Sequence, residues 1–251
     1  MAAHAEEEAQ PAEGEAGNPR VLAILAHPDD EIVMAPVLAR LAREGGEVAL
    51  VFATSGDAGP GVSGMEPGAA LAALREDEGQ CAATALGAGE PIYWRFSDGE
   101  LGEGARNSQD TIRSLSARIS ALIAAQKPTT ILTWGPDGGY GHIDHRMISN
   151  AVTQVVQEEG EDRPELLYAA LPTPDETAVG LPGFEDWATL HPSLVTHRLS
   201  YADADLASAA AALDCYGSQF DPAIRAALPG LLHQQVWRGT VAFRSAFGEA
   251  E

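Results

Sequence analysis

The chain has 251 residues, 45% of them apolar, with 37 acidic against 15 basic side chains and a formal net charge of −22. That length and apolar content suit one domain with a substantial core. The charge excludes nucleic acid and an anionic membrane surface as favoured partners, because both would repel it. No apolar run reaches membrane-spanning length, so membrane insertion is not expected. The N-terminus lacks the basic start and apolar centre of a signal peptide. The expected location is therefore cytoplasmic, although a chain trimmed of its signal would read the same. The two cysteines, Cys81 and Cys215, form no Cys-x-x-Cys pair. They read as two separate small buried residues, which excludes a disulfide scaffold and a Cys-rich zinc site.

Residues 1–19 are rich in Ala, Glu, Pro and Gly without periodicity and read as a disordered acidic tail, leaving residues 20–251 as a single domain. Residues 21–25, Val-Leu-Ala-Ile-Leu, have the continuous apolar pattern of a strand buried on both faces. The polar stretch Ala26-His27-Pro28-Asp29-Asp30-Glu31 follows. Val33, Val37, Leu38 and Leu41 then fall at helical spacing up to the stop at Gly45-Gly46, with Pro36 either opening or kinking that helix. Residues 48–53 form a second buried strand, completing a βαβ unit whose strands must be parallel.

The Gly-rich loop 55–68 contains Gly59, Gly61 and Gly64 at dinucleotide-fingerprint spacing, but Pro67 and Gly68 separate them from the next helix. The fingerprint requires its last glycine to open that helix, so a mobile loop at the mouth of a site is the preferred reading. Residues 69–86 read as a helix with Arg75, Glu76, Asp77 and Glu78 mostly on its polar side. A strand at 91–96, a turn at Ser97-Asp98-Gly99, a helix at 111–126 and a strand at 129–134 come next. The segment Tyr140-Gly141-His142-Ile143-Asp144-His145 leads into a helix at 146–158. This alternation predicts an α/β fold with a mostly parallel central sheet between helical layers. After Pro164 the pattern is less regular, with strands expected at 166–171 and 194–199 and a helix at 206–214.

Both His- and Asp-rich stretches fall where strands end, the edge at which such sheets place their sites. Imidazole and carboxylate without thiolate suit zinc first, then iron, nickel or cobalt. Two His and one carboxylate would leave a zinc position open for water, and a leftover carboxylate could take that water's proton. His142 and His145 lie three apart and would face the same way on a helix. One could bind metal while the other serves a developing oxyanion, and Asp144 could orient a histidine through its second nitrogen.

The residues Ala26-His27-Pro28-Asp29-Asp30-Glu31 and His142-Ile143-Asp144-His145 resemble the two motifs of the PIG-L/LmbE family of zinc-dependent N-acetylglucosaminyl deacetylases, with Ile143 in place of a usual proline. Thr54-Ser55-Gly56-Asp57-Ala58-Gly59, the segment around Arg75 and Glu78, and Asp98-Gly99-Glu100-Leu101 also resemble family stretches. So does Ser218-Gln219, where the histidine often found two residues earlier is Tyr216 here. The resemblance implies a Rossmann-like three-layer sandwich that binds no dinucleotide. It implies one zinc per chain on His27, Asp30 and His145, with Asp29 as general base. It further implies His142 as acid or oxyanion donor with Asp144 beside it, and Tyr140 polarising the amide carbonyl. The implied substrate is a small N-acetylated amino sugar or conjugate, with no nucleic-acid partner and with a homo-oligomer allowed. Rival expectations are an amidase of thiol-sugar conjugates and a non-catalytic sugar- or nucleotide-binding protein. His191, His197 and His233 have no partner at ligand spacing. Trp94, Trp134, Trp187 and Trp237 are expected in the core, with Trp187 available to stack on a sugar.

Overall fold

The computed structural model describes residues 18–102, 109–173 and 186–248. Residues 1–17 of the expected tail, and much of the loops at 99–109 and 172–192, lie outside the described residues. Seven strands, β1 Arg20–Leu25, β2 Glu47–Thr54, β3 Ile92–Phe96, β4 Thr130–Thr133, β5 Glu165–Ala169, β6 His197–Ser200 and β7 Thr240–Ser245, form one sheet. Their order is β3-β2-β1-β4-β5-β7-β6. The first five are parallel, and β7 runs antiparallel to both β5 and β6.

Among the described residues six α-helices accompany the sheet: α1 Ala35–Arg43, α2 Ala69–Leu86, α3 Gln109–Gln126, α4 Ile143–Glu158, α5 Asp203–Asp214 and α6 Pro222–Leu231. Helices α1, α2 and α5 pack together, and α3 packs with α4. The expected three-layer α/β arrangement is therefore present. Among the described residues no helix is long and apolar enough to cross a membrane. The apolar run of β1 is buried throughout from Val21 to Leu25, as a strand covered by helices on both faces requires. Pro36 lies in the first turn of α1, where a missing N–H costs no hydrogen bond, so it opens that helix rather than kinking it.

Three details differ from the sequence reading. Helix α4 starts at Ile143, not 146, because His142 caps it: its Nδ1 accepts from the Asp144 N–H at 3.2 Å. Beyond α5 the chain forms α6, a wide π-helical turn at Leu232–Trp237, and β7. Pro229 inside α6 and the adjacent Gly230 read as breakers, and β7 finds its partners only through tertiary pairing. Third, Cys81 and Cys215 are joined in a disulfide, with Cα atoms 5.8 Å apart across 134 residues of sequence. Cys81 is exposed and Cys215 half-buried, so neither is the buried free thiol expected. Pairing depends on proximity in the fold, which sequence spacing does not carry.

Candidate metal centre

The strand order reverses beside β1: β2 and β3 lie to one side, β4 and β5 to the other. In parallel sheets this reversal opens a crevice at the carboxyl ends of the two central strands. Residues 26–31 leave β1 there, and residues 134–142 leave β4 there on the way to α4.

The first segment is folded tightly. Asp30 Oδ2 accepts the N–H groups of Ala26 and His27, each at 2.9 Å, which turns Asp30 Oδ1 toward the crevice. Asp29 adopts φ +111°, a left-handed conformation that strains a residue with a Cβ. The turn then continues as a short 3-10 helix, Asp30–Met34. On the other side His145 is fully buried in the first turn of α4, and the Trp134 ring stacks on it at 4.5 Å. Its Nδ1 lies 3.1 Å from the carbonyl oxygen of Gly138, a residue at φ +71° whose added Cβ would press on the His142 carbonyl. A proton on Nδ1 donates to that carbonyl and leaves Nε2 as a lone pair.

Three donor atoms then converge. His145 Nε2 is 3.0 Å from Asp30 Oδ1 and 3.1 Å from His27 Nδ1, and His27 Nδ1 is 3.8 Å from Asp30 Oδ1. Donors about 2.1 Å from a tetrahedral zinc lie roughly 3.4 Å from one another, so this set fits such an ion. The far side of His27 supports the same assignment. Its Nε2 lies 2.9 Å from Asp98 Oδ1 and 3.4 Å from Asp144 Oδ2. A histidine that donates one N–H to a carboxylate presents its other nitrogen to a metal in a fixed orientation. His27, His142 and His145 also form a group close enough to hold an ion, as do His27, Asp98 and Asp144. Asp98 and Asp144 face the ring nitrogen of His27 that points away from His145.

The electrostatics favour a cation. Burial alone would lower the pKa of His27, but hydrogen bonds to Asp144, Asp30 and Asp98 hold it well above its ordinary value. Burial opposes ionisation of Asp30, yet the charge and hydrogen bond of His145 keep it well below the usual carboxylate range. Asp98 is likewise lowered: burial works against it, and the His27 hydrogen bond prevails. Asp29 behaves differently. Burial pushes it up to about 6, with the Arg75 guanidinium pulling the other way. His142 is lowered, first by burial and then by the neighbouring His27 and His145.

The remaining expected residues separate by position. Tyr140 is 46% exposed at the rim, its ring 5.2 Å from that of His145, and burial raises its pKa. Asp144 is fully buried and accepts from the N–H groups of Gly99 at 2.7 Å and Leu101 at 3.0 Å, so its carboxylate holds the loop after β3 and faces His27. Trp187 is half-buried, its ring against those of Trp134 and Tyr140. His191, His197 and His233 bond instead to Ser193, Glu165 and Tyr201.

Sequence reasoning placed Asp98 in a turn and in a stretch resembling the family but gave it no role in the site, although the rule that directed attention to strand ends applies equally to β3. It also misplaced Arg75 and Glu78, which are buried rather than on the polar face of α2. Arg75 donates to Asp29 Oδ2 at 3.0 Å, to the Pro28 carbonyl at 2.6 Å and to the Gly56 carbonyl at 3.1 Å. Gly56, at φ +68°, is required there because a Cβ would collide with the guanidinium. Gly61 abuts Ser218 and Gln219, and Gln219 Nε2 donates to the Gly59 carbonyl at 3.1 Å. The Gly-rich loop is thus fastened by protein groups. Glu78 accepts from the Ser218 N–H and hydroxyl, both at 2.6 Å. Tyr216 Oη donates to Glu31 Oε1 at 2.5 Å, and burial pushes the Glu31 carboxyl up to about 8.

Comparison with known proteins shows the family. The PIG-L family, described as GlcNAc-PI de-N-acetylase, matches residues 22–156. A 1D-myo-inositol 2-acetamido-2-deoxy-alpha-D-glucopyranoside deacetylase of Rhodococcus opacus is 33% identical over 161 residues, covering 57% of this chain and 55% of that protein. The chain spans about half the length of the first curated relatives it matches. In fold it resembles the N,N'-diacetylchitobiose deacetylase of Pyrococcus horikoshii, with TM-score 0.67 and 20% identity over 93% of this chain and 87% of that one. It also resembles a 4-carboxy-2-hydroxymuconate hydratase from Pseudomonas putida KT2440, with TM-score 0.60 and 15% identity over 93% and 98% of the two chains. One fold therefore carries different reactions, and the fold alone does not choose between them. The family match covers more than half of the chain and includes both motifs, Arg75 and Asp98, and on that basis the chain belongs to the PIG-L family.

Proposed function

We propose that the chain is a zinc-dependent N-deacetylase acting on a 2-acetamido sugar or a conjugate of one. The observation that carries this is the convergence of His27 Nδ1, His145 Nε2 and Asp30 Oδ1 at 3.0–3.8 Å, with Asp29 beside them in the cleft. These three residues would hold the metal; Asp30 Oδ2 and His145 Nδ1 are engaged by backbone groups, and His27 Nε2 faces Asp98 Oδ1 at 2.9 Å. A zinc ion held there would supply Lewis acidity, lowering the pKa of a water molecule to about 7 and polarising the amide carbonyl.

The other roles belong to the chain's own side chains. Asp29 takes a proton from the attacking water, and a carboxylate titrating at about 6 suits a base at neutral pH. Arg75 fixes Asp29 Oδ2 and keeps its pKa from rising further. His142 Nδ1 is occupied by the Asp144 N–H, so the proton of the neutral ring sits on Nε2 and is available as a donor. Tyr140 stays protonated at the rim and offers a second donor to the developing oxyanion. Water oxygen bonds to the carbonyl carbon, the C–N bond breaks, and the proton held by Asp29 passes to the departing amine, giving acetate and a free amino sugar.

The test is acetate release from a panel of N-acetyl sugars by protein stripped with a chelator and reloaded with zinc. Activity that disappears on stripping and returns with one zinc per chain supports the proposal. Metal-free protein that binds nucleotide and retains no zinc on reloading would overturn it.

A further inference from the structure

Beside Asp29 and Asp30 lies a cleft of about 510 Å³. Its apolar lining includes Ile32, Phe220, Leu228 and Leu232 together with Trp134 and Trp187. Among the described residues the charged side chains lining this cleft are Asp29, Asp30 and Asp186, and of these Asp29 is paired with Arg75 and Asp30 with His145. Gln219, which also lines it, has its amide nitrogen committed to the Gly59 carbonyl and the Ser218 hydroxyl. Away from the reacting groups, the described lining therefore offers little to a polyol or to an anion.

The apolar wall continues outward. On α6 and the wide turn after it, Ile224, Leu228 and Leu232 follow at intervals of four, a spacing that aligns them along one helical face. Ile224 is 45% exposed, Leu228 half-buried and Leu232 2% exposed. The stripe runs from solvent into the cleft. Inward, Val33, Trp134, Trp187 and Leu232 are shared with a smaller chamber whose walls include Val236 and Trp237.

From these features, and resting on the deacetylase reading above, we infer that the sugar bears an uncharged apolar substituent, alkyl or aryl, lying against Phe220, Leu228 and Leu232. A charged substituent would lose its hydration against that wall with no partner among the described lining there, and a bare polyol gains nothing from it. An apolar group of a few carbons would lose water-exposed surface there. About tenfold in affinity requires roughly 55 Å² of it.

The experiment compares methyl, hexyl and 5-carboxypentyl 2-acetamido-2-deoxy-β-D-glucopyranosides on the zinc-loaded full chain, by calorimetric binding and by acetate release. The hexyl compound should bind at least about tenfold more tightly than the methyl one and show a matching rise in kcat/KM, and the terminal carboxylate should cancel the gain. Leu228→Asn should bring the hexyl-to-methyl ratio toward one. Equal binding and equal turnover of methyl and hexyl compounds would leave the deacetylase standing and overturn the apolar substituent. Tight hexyl binding with no acetate release from any compound would overturn the deacetylase and keep the apolar subsite. The substrate series is measured on the unaltered chain, so the outcome does not depend on a variant folding.

Discussion

The chain up to the end of α4 and the chain after it contribute differently to one cleft. The first part supplies His27, Asp29, Asp30, Asp98, His142 and His145, each fixed by hydrogen bonds or ring packing, and with them the apolar Ile32, Val33 and Trp134. The second part supplies Trp187, Phe220, Leu228 and Leu232, a wall that is largely apolar. Reactive groups must be held in narrow orientations, so their neighbours are dictated. An apolar wall needs only shape and area, so many sequences can build it. The family match ends at residue 156, in the last turn of α4.

Substitutions can break this division in order of expected effect. Asp29→Asn removes the proposed base but no metal donor; kcat should fall by about 10²–10⁴ while zinc content stays at one per chain. Near-normal turnover in that variant, with zinc confirmed, would reassign the base. Asp98→Asn leaves the three donors in place but replaces the carboxylate behind His27; zinc affinity or activity should fall about 10–100-fold, read by competition with a chelating dye. In the second part, Phe220→Ala should raise KM severalfold, on the order of tenfold at most, and leave kcat nearly unchanged. A matching fall in kcat would place Phe220 with the first group. The smallest effect on turnover is expected from Cys81→Ser with Cys215→Ser: kcat within twofold of the parent, but unfolding free energy lower by about 2–5 kcal/mol in urea titrations.

The same division governs what the sequence makes legible. The continuous apolar runs of β1 and β2, the spacing of α2 and the placement of both motifs at strand ends can be read residue by residue. His27, Asp30 and His145 are expected together, and the fold brings their facing atoms to 3.0–3.8 Å from one another. Arg75 is not legible as a site residue, because a charged side chain on a helix ordinarily faces water. Only the fold shows that Asp29, Gly56 and Pro28 surround it. Beyond Pro164, β7 pairs between β5 and β6, a placement that local pattern does not encode. Pro229 conceals α6, since a proline normally ends the helix that contains it.

The bridge between Cys81 and Cys215 makes residues 81–215 a closed covalent ring. Asp98, Tyr140, His142 and His145 belong to that ring; His27, Asp29 and Asp30 lie on the chain that enters it. A single backbone cut anywhere between the two cysteines would leave both fragments attached, one band on a non-reducing gel and two after thiol treatment. The proposed metal would be a second cross-link of the same kind, tying ring to entering chain through His145 on one side and His27 and Asp30 on the other. In a compartment that keeps thiols reduced the first link opens and only the second remains. The protein's dependence on bound metal for its stability would then be greater in reducing surroundings than in oxidising ones.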